Sequence, residues 1–229
     1  LPAWAFVNNA VLVNVSSECP QCGSELGVYL DGTTDHLNLG TIQLSSASNV
    51  TYMAWVKAEA STLQGRLFDF GPGDDSTTNN HFFGFAGSTG QFQFSSQDSS
   101  TYSGVQDPST LTLNTWVHVA ATMDGTNGSL YIDGSLVDTN GNMVDLGSPY
   151  WRSSYIGRSN WDADAYFQGS VADFRIYERS LNASEVMAVA QGGAVDEGRR
   201  FPLRCDACTD PGQCSCPTSD LNELPVWAF

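Results

Sequence analysis

Between Thr115 and Gly134 the chain reads Thr-Trp-Val-His-Val-Ala-Ala-Thr-Met, then Asp-Gly-Thr-Asn-Gly, then Ser-Leu-Tyr-Ile-Asp-Gly, and no other stretch limits the fold as tightly. The first part alternates as the two faces of a strand require. Asp124-Gly125 and Asn127-Gly128 then supply residues that tolerate positive φ, a strong hairpin signal between two β runs. Comparable runs stand at Leu26–Gly32, His36–Leu39, Thr51–Lys57, Arg66–Gly71 and His81–Phe85. In Thr51–Lys57, Tyr52, Ala54 and Val56 alternate with Met53 and Trp55, so both faces are apolar and the strand is expected to be buried on both sides. Helical patterns are scarce and Gly, Ser, Thr, Asn and Asp abound, which is an all-β profile.

A chain of 229 residues suits one sizeable domain with appendages. Its formal charge of −16, with Lys57 the single lysine, argues against nucleic acid and anionic membranes as partners, since both select basic surfaces. That balance fits an extracellular protein, or one that gathers divalent cations. No apolar run of these residues approaches a membrane span, and no signal peptide is expected within them. Opening on Leu1 rather than Met is expected of a processed or excised piece.

Six cysteines fall in two end clusters, Cys19 and Cys22, then Cys205, Cys208, Cys214 and Cys216. Three disulfides are expected, at least one of them tying the N-terminal segment to the tail. A bridge between such distant segments would stabilise the fold by roughly 3–5 kcal/mol in the loop-entropy account. Zinc is the rival reading, because Cys-Pro-Gln-Cys and Cys-Asp-Ala-Cys both have the spacing of a tetrahedral Cys₄ site. Asn14, Asn49, Asn127 and Asn182 each begin an Asn-x-Ser/Thr sequon, the acceptor for N-glycosylation.

Several segments in order resemble the laminin-G-like domain of the concanavalin A-like lectin/glucanase superfamily. They are Leu30-Asp31-Gly32, Trp116-Val117-His118-Val119-Ala120, Leu130-Tyr131-Ile132-Asp133-Gly134, Tyr155-Ile156-Gly157-Arg158 and the run from Phe167 to Tyr177. Arg179 to Val186 adds a short helix, for which Asn182 and Glu185 form an N-cap and its partner three residues on. The resemblance implies a two-sheet antiparallel jelly-roll sandwich over residues 26–192, with an N-terminal strand segment at 1–25 and a cysteine-rich tail at 193–229.

Fold alone leaves function open, because this superfamily holds lectins, glycosidases and structural spacers. Its retaining glucanases set two glutamates around an aspartate at strand spacing. Here no Glu-x-Asp-x-Glu occurs, and the seven glutamates are scattered, so no enzyme is expected. None of His36, His81 and His118 has a nucleophile pattern beside it, and His118, inside an apolar strand, reads as a packed residue. Many relatives hold Ca²⁺ through carboxylates and carbonyls, and the resemblance makes Asp31 and Asp173 the candidate ligands, with strand-end capping as the alternative. Asp74-Asp75 and Asp162-Ala163-Asp164 are further acidic loops. For glycans, Tyr150, Trp151, Trp161 and Tyr166 are the candidate aromatics, in stretches rich in Ser, Asn and Asp.

Both ends carry nearly the same hexamer. Leu1-Pro2-Ala3-Trp4-Ala5-Phe6 returns as Leu224-Pro225-Val226-Trp227-Ala228-Phe229, five letters of six. Such self-similarity marks an array in which one unit ends as the next begins. Trp4, Phe6, Trp227 and Phe229 are the candidate assembly residues. Val11 and Val13 join them, on a strand-like run that packs either on an edge of its own sandwich or on a neighbouring unit. The expected function is an extracellular structural or adhesive module joined head to tail with copies of itself, and the alternative is a calcium-dependent, lectin-like module that binds glycans.

Overall fold

The computed structural model describes residues 5–73, 78–87 and 89–195. Fourteen strands, numbered in chain order, make two seven-stranded sheets. The first sheet runs β1 (Phe6–Val7), β4 (His36–Gln43), β13 (Tyr150–Ile156), β6 (Arg66–Gly71), β7 (Asn80–Phe85), β8 (Gln91–Gln97), β9 (Tyr102–Thr110). The second runs β12 (Ser135–Asn140), β11 (Asn127–Ile132), β10 (Val117–Asp124), β5 (Asn49–Ala58), β14 (Gln168–Tyr177), β3 (Leu26–Asp31), β2 (Val11–Asn14). Every ladder within the sheets is antiparallel, so the architecture is an all-β, two-sheet sandwich. The hairpin expected at Asp124–Gly128 joins β10 to β11, with Asp124 opposite Asn127.

Aromatic side chains fill the space between the sheets. Phe68, Phe70, Phe83, Phe92 and Phe94 meet Tyr52, Val56, Val119 and Phe174 across it, all in one buried cluster. Each such ring contributes about 1.5–3 kcal/mol by leaving water.

The outward face of the second sheet is covered as well, which accounts for β5 being apolar on both sides. The helix α1 (Ala183–Ala190) lays Val186 and Val189 against Met53, Ala120, Tyr131 and Tyr177. It starts where the sequence places it: the Asn182 side chain accepts from the backbone N–H of Ser184 and Glu185, and the Glu185 carboxylate accepts from the Asn182 N–H. Beside it, Val15, Cys19 and Cys22 pack on Trp55, Trp116 and Ala172.

The N-terminal segment is therefore part of the sandwich. β1 pairs with β4 in one sheet and β2 with β3 in the other. Of the two placements open to Val11–Val15, the structure takes the edge of the same sandwich. Its cysteines also pair locally rather than with the tail. Cys19 and Cys22 form a disulfide with Cα atoms 5.3 Å apart, brought together by a 3-10 turn at Pro20–Cys22 that closes on Gly23 in the left-handed region. Cys205, Cys208, Cys214 and Cys216 lie outside the described residues, as do Trp4, Trp227, Phe229 and Asp74-Asp75.

Candidate functional site

Helix and N-terminal segment cover the second sheet, which leaves the outward face of the first. The ladder between β6 and β7 is irregular there: Arg66 stands opposite Gly84 and Phe68 opposite Phe83, so Leu67 is an extra residue. Such a bulge re-aims side chains. Leu67 turns into the core, while Arg66 comes out on the face that carries Phe82 and Asp69.

Arg66 is the centre of the site. Its guanidinium lies 4.2 Å above the Phe82 ring and 5.9 Å from the Trp161 ring. Its Nη2 donates to Asp164 Oδ2 at 3.1 Å. Trp161 meets Phe82 edge to face at 5.6 Å, and Tyr102 stacks with Phe82 at 6.0 Å. The Tyr102 hydroxyl donates to Gln93 Oε1 at 2.9 Å and accepts from Ser95 Oγ at 3.0 Å. With Gln64 and Gln97 these groups line a shallow cleft of about 280 Å³. Arg66 Nε, Arg66 Nη1 and Gln64 Oε1 have no hydrogen-bond partner in the protein.

The loop that carries Trp161 and Asp164 is held from below by one buried carboxylate. Asp69 accepts from the Asn160 backbone N–H at 3.1 Å, from Asn160 Nδ2 at 2.9 Å and from Asn80 Nδ2 at 3.2 Å. Ser159 Oγ lies 3.3 Å from Asp69 Oδ2 and 2.7 Å from Asp164 Oδ2, which links the anchor to the cleft. Burial pushes the Asp69 carboxyl above its usual range, against the Arg66 charge and the Asn160 and Asn80 hydrogen bonds, which pull it down. Asp69 is fully enclosed and does not line the cleft, whose single carboxylate among the described residues is Asp164. Acid and nucleophile, or acid and base, need two carboxylates flanking a bond. This surface offers rings for stacking and amides for hydrogen bonding.

Of the sequence candidates for a ligand, Trp161 alone reaches this cleft. Trp151 points the other way from β13, is fully buried in the core, and donates its indole N–H to the Asn79 carbonyl, out of reach of a surface ligand. Tyr150 is exposed with Arg152 near its ring, and Tyr166 is half-buried beside His36. Arg66, Phe82, Gln93 and Tyr102 escaped the reading. A signal existed for Gln93 in the alternation Gln91-Phe92-Gln93-Phe94, which predicts one apolar and one amide-bearing face.

Asp31 and Asp173 sit toward opposite ends of the β3–β14 ladder, each engaged locally. Asp31 Oδ1 accepts the N–H groups of Thr33, Thr34 and Asp35 at 2.9–3.0 Å, and Oδ2 accepts the Thr33 hydroxyl. Partial burial opposes ionisation, but these bonds outweigh it and hold its carboxyl far below the usual range. Asp173, at a φ of 48°, takes a two-point bond from Arg175, with Nε to Oδ1 at 2.7 Å and Nη2 to Oδ2. Among the described residues no group of three or more His, Cys, Asp or Glu could hold a metal ion. The sequon residues Asn14, Asn49, Asn127 and Asn182 are all exposed. His81 and His118 are enclosed, His81 at 3.0 Å from the Tyr52 hydroxyl and His118 edge-on to Trp55.

The geometry is that of an open cleft of rings and amides on the outer face of a β-sandwich. A laminin-G model described as concanavalin A-like lectin/glucanases superfamily matches residues 31–187, more than half of the chain, and the protein belongs to that superfamily. No curated protein matches the sequence. Among solved structures, the fold is similar to domain 4 of AbnA, a GH43 extracellular arabinanase from Geobacillus stearothermophilus, in complex with arabinotriose. That pair shares 23% identity over 81% of this chain and 82% of the other, with a TM-score of 0.65. It is also similar to the CBM40 of the Ruminococcus gnavus IT-sialidase bound to α2,3 sialyllactose, at 15% identity, 72% and 96% coverage and a TM-score of 0.57. A heptameric SAP-like pentraxin from Limulus polyphemus gives 18% identity, 72% and 81% coverage and 0.54. At these identities the likeness establishes the fold.

Proposed function

We propose that this protein is a non-catalytic glycan-binding module whose site is the Arg66–Phe82–Trp161–Tyr102 cleft. The observation that carries the reading is the ring cluster itself: Trp161 and Tyr102 flank Phe82 on an open sheet face, with glutamine amides beside them. Sugar rings have an apolar C–H face and a rim of hydroxyls, which these two kinds of group complement. Arabinotriose and sialyllactose, bound by two neighbours of the same fold, support the class of ligand. The setting we propose is extracellular, in keeping with the Cys19–Cys22 disulfide and the exposed sequons.

The test is a glycan array followed by calorimetry on the best ligand, with and without calcium. Trp161→Ala and Tyr102→Ala are each expected to weaken binding at least about tenfold, or 1.4 kcal/mol. Binding that survives both substitutions would move the site elsewhere.

A second reading, head-to-tail association, has one observation of its own. β2 is an edge strand, and it exposes Val11 and Leu12. An apolar free edge is a template for strand addition. Phe6 and Val13, by contrast, are packed against the protein's own core clusters. Val11→Lys with Leu12→Lys should abolish any self-association seen by light scattering; a chain that is monomeric at all concentrations excludes this reading.

A further inference from the structure

We infer that the cleft selects neutral sugars over acidic ones, an inference that rests on the glycan-binding reading of the same site. Among the described residues Arg66 is the one cation lining the cleft, and a single arginine on an aromatic platform looks at first like a receptor for a carboxylate. Its surroundings have already used it. Nη2 is taken by Asp164, and the two side chains are only 5% and 15% exposed. One face of the guanidinium lies on Phe82. Nε and Nη1 are enclosed, out of reach of an incoming anion.

The Arg66 and Asp164 charges therefore cancel at the cleft, and Asp69 adds a carboxyl directly beneath. An acidic sugar would have to break a shielded ion pair and then sit beside the Asp164 carboxylate. Breaking such a pair is expensive, because one charge is left buried without its partner. It would also approach a chain of net charge −16, whose field slows anions and favours neutral ligands. The polar groups that remain are Gln64, Gln93, Gln97 and the Tyr102 hydroxyl. All are uncharged, and the Gln93 and Gln97 amides can both donate to and accept from sugar hydroxyls, whereas the Gln64 carbonyl oxygen is enclosed like the two Arg66 nitrogens.

Asp164→Asn tests this directly. Asparagine keeps an oxygen able to accept from Arg66 and Ser159, but leaves the guanidinium without a counter-charge at the cleft. The probes are an array of neutral, sialylated and uronate-containing glycans, then calorimetry with the best neutral ligand and with sialyllactose. For the unaltered protein we expect at least about a tenfold preference for the neutral ligand, and affinity for it unchanged between about 50 and 500 mM salt. In Asp164→Asn the preference should shift toward sialyllactose by at least about tenfold, with the new binding weakened by salt. Lost packing alone would weaken both ligands and could not produce that gain. Sialyllactose bound as tightly as the neutral ligand overturns the inference, as does an unchanged preference in the variant. If acidic glycans dominate yet Trp161→Ala abolishes them, the cleft stands and the selectivity falls. If no glycan on the array binds, the glycan reading itself fails and the inference with it.

Discussion

Gly84 faces the backbone of Arg66 across the bulge, where a Cβ would lie 2.8 Å from Arg66 Cα and 2.3 Å from the Gly65 carbonyl oxygen. Both neighbours are main chain and cannot swing aside. The extra residue in β6, and with it the outward aim of Arg66, depends on a bare backbone at this position. Gly84→Ala should cost about 3 kcal/mol by forcing the ladder apart, read as a lower urea midpoint. It should also weaken glycan binding by displacing Arg66 from Phe82. An unchanged midpoint would mean that the bulge adapts freely.

The disulfide between Cys19 and Cys22 closes a loop of only a few residues. In the loop-entropy account such a short link contributes about 2 kcal/mol, well below a bridge to the tail. Its local role is to fold the turn that packs on Trp55 and Trp116. Cys19→Ser with Cys22→Ser is thus expected to lower stability by about 2 kcal/mol and to shift tryptophan fluorescence to the red as water reaches these rings. A variant with unchanged emission would show that the turn holds without the bond.

The sandwich was legible because strand periodicity and turn chemistry are local signals. Thr51–Lys57 advertised two apolar faces, and both turned out to be covered. Asn182 and Glu185 likewise placed the helix start, since a capping box needs residues only three apart. The site was not legible in the same way. Trp151 and Trp161 look alike as letters, and only the register of β13, with Trp151 opposite Ile42, sends one inward. Arg66 becomes a site residue through a bulge, a property of how two separate strands pair and not of either strand's own letters. The Cys19–Cys22 pairing was hidden for a different reason, because spacing alone admits several connectivities.

Acid should weaken the fold before the carboxyls held low begin to titrate. Burial holds His81 and His118 down to about 3, and for His118 the Arg175 charge acts in the same direction. Both stay neutral in the folded protein at pH values where the unfolded chain takes up protons. Their contribution is complete above about pH 6.5 and is lost as pH falls from there toward 3. At about pH 4.5 the loss is on the order of 3 kcal/mol per histidine. Carboxyls held low, such as Asp31 and Glu185, add to the loss only below about pH 4.5. Asp69 runs the other way, because its raised carboxyl is relieved by protonation. Urea midpoints should fall between pH 7 and 4.5, while the ring NMR signals of His81 and His118 stay unshifted. Titration of either ring above pH 5 would contradict this.

Trp151 and Trp161 should separate cleanly on substitution. Trp151 packs against Phe70 at 5.8 Å and His81 at 5.3 Å, with no exposed surface. Removing it leaves a cavity that neighbouring rings cannot fill, so Trp151→Ala is expected to cost about 3–5 kcal/mol. Trp161 has one edge-to-face partner in Phe82 and lies on the cleft wall, where truncation is expected to cost no more than about 1.5 kcal/mol. Thermal unfolding should thus drop steeply in the first variant and little in the second, while glycan binding by the folded protein disappears only in the second. If Trp161→Ala unfolds as early as Trp151→Ala, its ring belongs to the framework and the recognition surface must be sought elsewhere.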